Sequence, residues 1–149
     1  MSLFNLIGSD GIVLISDINL TVDSALDLTC SILINNKKVE PRYLDAIKQK
    51  HKEIGPYYVL APKIAMPHAR PEDGVNEPAL QVTVFQNGVD FESDDNGLVY
   101  LSVTLAAKDS DNHINTIMKL SELFQNEDDV NAIINANNKY DIIDILKRY

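Results

Sequence analysis

The apolar positions divide the chain into short continuous runs and helical stripes. Residues 11–15 form a short apolar run that predicts a first strand. Thr21 then opens a helix, with Val22, Ala25, Leu26, Thr29 and Leu33 recurring at i, i+3, i+4, i+7 and i+11. Asn35 and Asn36 supply its stop. Pro41 suits the first turn of a second helix, because a proline there gives up an N–H that would have no partner. That helix carries Leu44, Ile47, His51 and Ile54 on one stripe and ends at Gly55-Pro56. Two short strands follow at 57–60 and 63–66, then a loop at 72–78. The β-branched, half-alternating run 79–85 predicts another strand, closed by Asn87-Gly88. After an acidic, turn-rich segment at 91–97, residues 98–107 make the longest apolar run, the pattern of a central strand buried on both faces. The remainder reads as three helices, near 112–125, 128–136 and 140–148, each with a cap or acidic first turn (Asp111, Asn126, Asn138). Helices at both ends around these strands predict a single-domain α/β/α sandwich, a mixed sheet of about five strands flanked by helices on both faces.

Composition narrows the function classes. The 149 residues fit one domain able to bury roughly 68–70% of its unfolded surface. No repeat, low-complexity tract or linker divides the chain, and 1–149 is read as one unit. No apolar run approaches the roughly 20 residues that span a bilayer, and no signal peptide is visible at the start, so no direct membrane insertion and a cytoplasmic location are expected. The net charge of −9 repels phosphate backbones, which excludes nucleic acid as an expected partner. The single cysteine, Cys30, lies in an apolar helical pattern and reads as buried and inert.

The chemistry gathers in residues 61–74, Ala-Pro-Lys-Ile-Ala-Met-Pro-His-Ala-Arg-Pro-Glu-Asp-Gly. Pro62, Pro67 and Pro71 fix φ at three points and remove three backbone donors. The segment reads as a short strand emptying into a stiff loop that holds the imidazole of His68 at the strand's carboxyl end, with Arg70 two residues on. Such loops carry function in α/β proteins. Taken alone, one histidine in a turn is more often incidental than chemical. His113 follows the central strand in the first turn of the next helix, with Ile117, Leu120 and Phe124 on its stripe. A helix N-terminus disfavours imidazolium and favours an anion nearby, so His113 is expected to be a neutral donor. A half-buried histidine bonded to a carbonyl is the plainer alternative. Both histidines follow strand ends, and such ends can converge on one surface.

The run Gly-Pro-Tyr-Tyr-Val-Leu-Ala-Pro-Lys-Ile-Ala-Met-Pro-His-Ala-Arg resembles the active-site signature of the mannitol/fructose-type enzyme IIA family of the bacterial phosphotransferase system. Val39-Glu40-Pro41-Arg42-Tyr43 and the segment from Ala106-Ala107 to His113 resemble two further family segments, so the match covers essentially the whole chain. The flanks of His68 are most similar to the ascorbate-type branch. The resemblance implies that His68 accepts a phosphoryl group from the histidine phosphocarrier HPr. It then passes the group to a cysteine of a cognate enzyme IIB, which serves a membrane enzyme IIC, with L-ascorbate as the expected substrate. It implies that His113 orients or stabilises the phosphoryl group. Mannitol-type relatives carry an arginine on the second helix, where this chain reads Lys50-His51-Lys52; either Arg70 supplies the cation or the site manages without one.

Phosphoryl transfer needs in-line positioning and charge stabilisation more than covalent work from the protein, and a neutral imidazole is a competent nucleophile near pH 7. No glycine loop for a nucleoside triphosphate is present, and the spacing of His68, His113, Asp109 and Asp111 matches no usual zinc pattern. No cofactor and no metal are therefore expected. Two functions fit: a phosphocarrier for sugar uptake, or a regulatory module of the same fold phosphorylated on His68. The flanks of His68 favour the first.

Overall fold

The computed structural model describes residues 2–149. In chain order it contains α1 (Leu3–Ile7), β1 (Ile12–Ile15), α2 (Val22–Asn35), α3 (Pro41–Ile54), β2 (Val59–Ala61), β3 (Lys63–Ala65), β4 (Ala79–Val89), β5 (Val99–Ala106), α4 (Ser110–Gln125), α5 (Glu127–Ile134) and α6 (Lys139–Leu146). A 3-10 turn, Pro71–Asp73, interrupts what the sequence reads as loop. The five strands form one mixed sheet in the order β1-β4-β5-β3-β2, with β5 in the middle. The β1/β4 and β3/β5 pairs are parallel; β4/β5 and β2/β3 are antiparallel.

Local chemistry sets the helix starts. Thr21 Oγ1 accepts the Ser24 N–H at 3.0 Å and Ser24 Oγ accepts the Thr21 N–H at 2.9 Å, a reciprocal capping box. Pro41 opens α3. Asn126 and Asn138 cap α5 and α6 by accepting from the N–H groups of Asp129 and Asp141. Asp111 supplies the acidic first turn of α4.

Two cores lie on opposite faces of the sheet. One packs Leu80, Val82 and Val84 of β4 with Leu101, Val103 and Leu105 of β5 against α1, α4, α5 and α6. The other packs Phe85, Val99 and Ala106 against Ala25, Leu26 and Leu33 of α2 and Tyr43 and Ile47 of α3. The expected α/β/α sandwich is thus formed, with β5 buried on both faces. Cys30 sits wholly inside the second core, where burial pushes its thiol up to about 12.

Several elements differ from expectation. The short helix α1 is not legible in the hydrophobic pattern, because five residues offer one apolar i, i+4 pair, Leu3 and Ile7. Its place comes from the other terminus, through the Leu3 N–H donated to the Tyr149 carbonyl at 3.1 Å. Strand β4 runs past Asn87-Gly88 to Val89, with a register shift between Val84 and Val89. Gly88 has φ +77°, and a Cβ there would meet the Tyr100 ring at 3.0 Å, so the glycine serves an irregular strand, not a closing turn. Ile54, on the α3 stripe with Ile47, is the last residue of the helix and is 63% exposed.

Under α2 the second core is polar. Gln81 is wholly buried; its Oε1 accepts the N–H groups of Ile32 (2.9 Å) and Leu33 (3.3 Å), and its Nε2 donates to the Leu28 carbonyl at 2.7 Å. Thr104 Oγ1 donates to the Thr29 carbonyl at 2.7 Å. These bonds fix where α2 lies along the sheet. Gln81→Leu keeps the bulk and strands the helix groups, so it should lower unfolding free energy by about 1–3 kcal/mol in urea titration.

Candidate active site

The parallel pairing of β3 with β5 sends both strands to the same sheet edge. His68 follows the end of β3 and His113 follows the end of β5, so topology brings together two side chains 45 residues apart in the numbering. They line one cleft of about 260 Å³, shared with Ala69, Pro71, Leu105, Ala107, Lys108 and Asp109.

Hydrogen bonds beyond the regular strand ends hold the His68 loop. The Met66 N–H donates to the Tyr58 carbonyl at 2.8 Å, and the Leu105 N–H donates to the Pro67 carbonyl at 3.0 Å. Tyr57 Oη donates to the His68 carbonyl at 2.5 Å. Tyr43 Oη, fully buried on α3, donates to the Leu105 carbonyl at 2.6 Å and accepts the Ala69 N–H at 3.0 Å. One phenol therefore ties the second helix, the His68 loop and the end of the central strand together. Burial pushes the Tyr43 hydroxyl well above its ordinary range and the Tyr57 hydroxyl up to about 12, so both remain donors.

The imidazole of His68 is itself oriented. Its Nδ1 lies 2.7 Å from the Met66 carbonyl, an acceptor only, so Nδ1 carries the proton and Nε2 keeps its lone pair. The Tyr57 ring meets it edge to face at 5.5 Å. Burial lowers the His68 pKa below the ordinary 6.5; the Met66 hydrogen bond opposes this, and the positive charge of Lys50 and the neighbouring His113 add to it. The ring is therefore a neutral nucleophile at pH 7, with Nε2 available to an electrophilic phosphorus or carbonyl centre.

His113 stands in the first turn of α4, its N–H donated to the Asp109 carbonyl at 3.2 Å, and it is half-buried. Behind it, Ile117, Leu120 and Phe124 pack on the first core, as the stripe predicts. A larger cavity of about 390 Å³ between α4 and the start of β4 meets the cleft at His113. Arg70 lies apart: it does not line the cleft, its side chain is 75% exposed, and its guanidinium pairs with Asp73 (3.4 Å) and Glu72 (3.6 Å).

Two cations absent from the sequence-based site stand closer. Lys108 lines the cleft and donates to the Asn76 carbonyl at 2.8 Å. Lys50 Nζ sits 4.4 Å from the centroid of the Tyr57 ring, the ring that packs on His68. Its signal was present in the Lys50-His51-Lys52 run, but helical register alone does not say which of the three faces the site. His51 turns the other way, to Tyr58 and Glu92.

The apolar side chains near His68 in the sequence form no exposed patch. Ile64, Met66 and Val75 are all buried. Ile64 and Met66, the latter just past the end of β3, pack into the same core; helices cover both faces, so alternation chooses between two cores rather than between core and solvent. Ile114 and Met118, at i and i+4 on α4, are exposed, and Met118 lines the larger cavity that meets the cleft at His113.

Comparison with known proteins places these features in a family. Residues 7–149 match the family model of the phosphoenolpyruvate-dependent sugar phosphotransferase system, EIIA 2. The chain is 36% identical over 124 residues to the mannitol-specific cryptic phosphotransferase enzyme IIA component of Escherichia coli (strain K12), covering 83% of this chain and 84% of the relative. It is 33% identical over 129 residues to the ascorbate-specific PTS system EIIA component of the same strain, covering 86% and 84%. The solution structure of the mannitol-specific cryptic enzyme IIA from Escherichia coli superposes with a TM-score of 0.90, at 33% identity and full coverage of both chains.

The depressed His68 pKa has a testable consequence. In the unfolded chain the imidazole titrates at its ordinary value, so just below pH 6.5 the unfolded state binds more protons than the folded one. The resulting stabilisation is complete above pH 6.5 and is lost as pH falls through the folded value. Ring NMR titration should place the His68 midpoint below 6.5, and His68→Gln should flatten the stability profile in that window.

Proposed function

Because this chain belongs to the EIIA 2 family of the phosphoenolpyruvate-dependent sugar phosphotransferase system, we propose that His68 is its phosphoryl-carrying residue and that Nε2 is the atom phosphorylated. The observation that carries the proposal is the Nδ1–H bond to the Met66 carbonyl, which leaves Nε2 as the one unprotonated ring nitrogen. The Nε2 lone pair forms the new P–N bond while the P–N bond to the histidine of phospho-HPr breaks, its electron pair returning to that ring. In the second half, a cysteine thiolate of enzyme IIB attacks phosphorus and the His68 P–N bond breaks. Throughout, the proton stays on Nδ1, hydrogen-bonded to the Met66 carbonyl, so no proton shuttle is needed.

His113, across the same cleft, donates to a phosphoryl oxygen. Lys50 and Lys108 supply positive potential in a protein of net charge −9, and Arg70 contributes from outside the cleft during docking. Both partners must use the same histidine in turn, so each contact is short-lived, burying less than about 1,200 Å². Ile114 and Met118 provide the exposed apolar rim for it. No helix among the described residues is long and apolar enough to cross a membrane, and the relay operates in the cytoplasm, with a membrane enzyme IIC reached through enzyme IIB. Between the mannitol and ascorbate relatives, the Tyr58–Pro62 and His68–Val75 flanks favour L-ascorbate as the substrate served.

Incubation with phosphoenolpyruvate, enzyme I and HPr should put acid-labile phosphate on His68, and the label should then pass to an ascorbate-type enzyme IIB in preference to a mannitol-type one. His68→Ala should take no label; label persisting in that variant overturns the assignment. His113→Ala should fold and transfer roughly a hundredfold more slowly, as expected from losing a donor worth about 2.7–4 kcal/mol in the transition state.

The cations can be ranked in the same assay. Lys50→Met should slow transfer and raise the His68 titration midpoint. Arg70→Ala, already paired with two carboxylates, should slow transfer less and chiefly at low salt, with Arg70→Lys intermediate. Equal rates for Arg70→Ala and the parent protein at low salt would remove Arg70 from the scheme.

A further inference from the structure

The end of α3 places His51 in a hydrogen-bonded chain that leads to His68 from the far side. Glu92 Oε1 lies 2.8 Å from His51 Nε2, and a carboxylate only accepts, so Nε2 carries the His51 proton. His51 Nδ1 is then an acceptor, and Tyr58 Oη, 2.9 Å away, donates to it. The Tyr58 ring has no solvent exposure; it stacks on His51 at 5.7 Å and meets Tyr57 and Phe91 edge-on at 5.2 and 5.3 Å. Its backbone carbonyl accepts the Met66 N–H at 2.8 Å, and the Met66 carbonyl accepts Nδ1–H of His68 at 2.7 Å. The route Glu92–His51–Tyr58–Met66–His68 thus has a hydrogen bond at every step except the passage through the bodies of Tyr58 and Met66.

The ends of this chain are unlike each other. The His51 side chain is 11% exposed, whereas Glu92 is 66% exposed, in the acidic segment before β5 and with φ +69°. A left-handed backbone at a non-glycine residue costs energy. The Glu92 N–H donated to Asp90 Oδ1 at 2.7 Å holds that turn. Neither Glu92 nor His51 lines the cleft.

We propose that His51, oriented by Glu92, is a positioning residue for the nucleophile: by anchoring Tyr58 it keeps the Met66 carbonyl where it holds His68 in the Nδ1–H tautomer. The proposal rests on the phosphoryl-carrier reading only for its kinetic consequence. When the anchor is lost, the buried Tyr58 hydroxyl has no acceptor and the turn at 57–58 shifts with it. The Met66 peptide follows, and His68 then populates both tautomers, one of which buries the Nε2 lone pair under a proton.

The test is a two-bond proton–nitrogen correlation spectrum of the ring nitrogens, recorded beside the rate of transfer from phospho-HPr. The parent protein should show His68 in the single Nδ1–H form. His51→Leu should show mixed tautomers and transfer about tenfold more slowly, as a small displacement of a reacting group would cause. His51→Gln keeps one acceptor for Tyr58 and one donor for Glu92, and should restore both tautomer and rate. A folded His51→Leu protein with the parent tautomer overturns the proposal. If that variant does not fold, Glu92→Leu decides, since it alters only the exposed end of the chain; an unchanged His68 tautomer there overturns it equally. Failure of the carrier reading would look different: the parent protein would take no label from phospho-HPr while the tautomer still responded to His51.

Discussion

The hydrogen bond from His68 Nδ1–H to the Met66 carbonyl is the interaction on which the rest of the site depends. A neutral imidazole has one lone pair to offer, and whichever nitrogen binds the carbonyl surrenders its own. That carbonyl is available because Met66 lies just past the end of β3, where its N–H still pairs with Tyr58 and Pro67 takes up the pairing with Leu105. Pro67 has no N–H, and its fixed φ limits how the histidine after it can be presented. The rigid loop therefore selects a tautomer as well as a place.

The surrounding protein keeps this loop from relaxing. Tyr43 reaches from α3 to both Ala69 and Leu105, and Tyr57 holds the His68 carbonyl. Two phenols thereby satisfy backbone groups that irregular chain would otherwise leave unpaired near a dry core. The same helix delivers Lys50 to the face of Tyr57 and His51 to Tyr58, so adjacent residues of one turn grip adjacent tyrosines. On the same face of the sheet, Gln81 and Thr104 fix α2 by hydrogen bonds to its backbone, an anchoring that apolar contact alone would leave free to slide.

Charge at the site is arranged by distance rather than by contact. Burial and nearby positive charge keep His68 neutral, and in the proposed relay the same positive charge would favour the phosphorylated form. A direct salt bridge to the nucleophile would achieve neither. Arg70, the cation nearest in sequence, is held by Asp73 and Glu72 at the start of the 3-10 turn, where it shapes the loop.

Much was legible in the chain itself. The long apolar run before Lys108 identifies the central strand, because only a strand covered on both faces can be so uniformly apolar. Prolines flanking Met66 and His68 mark a stiff loop, and Thr21, Pro41, Asn126 and Asn138 mark helix starts through local hydrogen bonding and fixed φ, which need no distant partner. The resemblance around His68 pointed to the family that the comparison then showed. What tertiary structure alone decided is everything that depends on pairing across the sheet. The parallel alignment of β3 with β5 brings His113 to His68; the two-sided cover buries Ile64, Met66 and Val75 together, while Ile114 and Met118 of α4 stay exposed. Likewise, the choice of Lys50 to face Tyr57 and of His51 to face Glu92 turns on about 100° of helix rotation per residue. Sequence spacing carries that periodicity but not its phase, which is set only when Tyr43 and Ile47 are buried against the sheet.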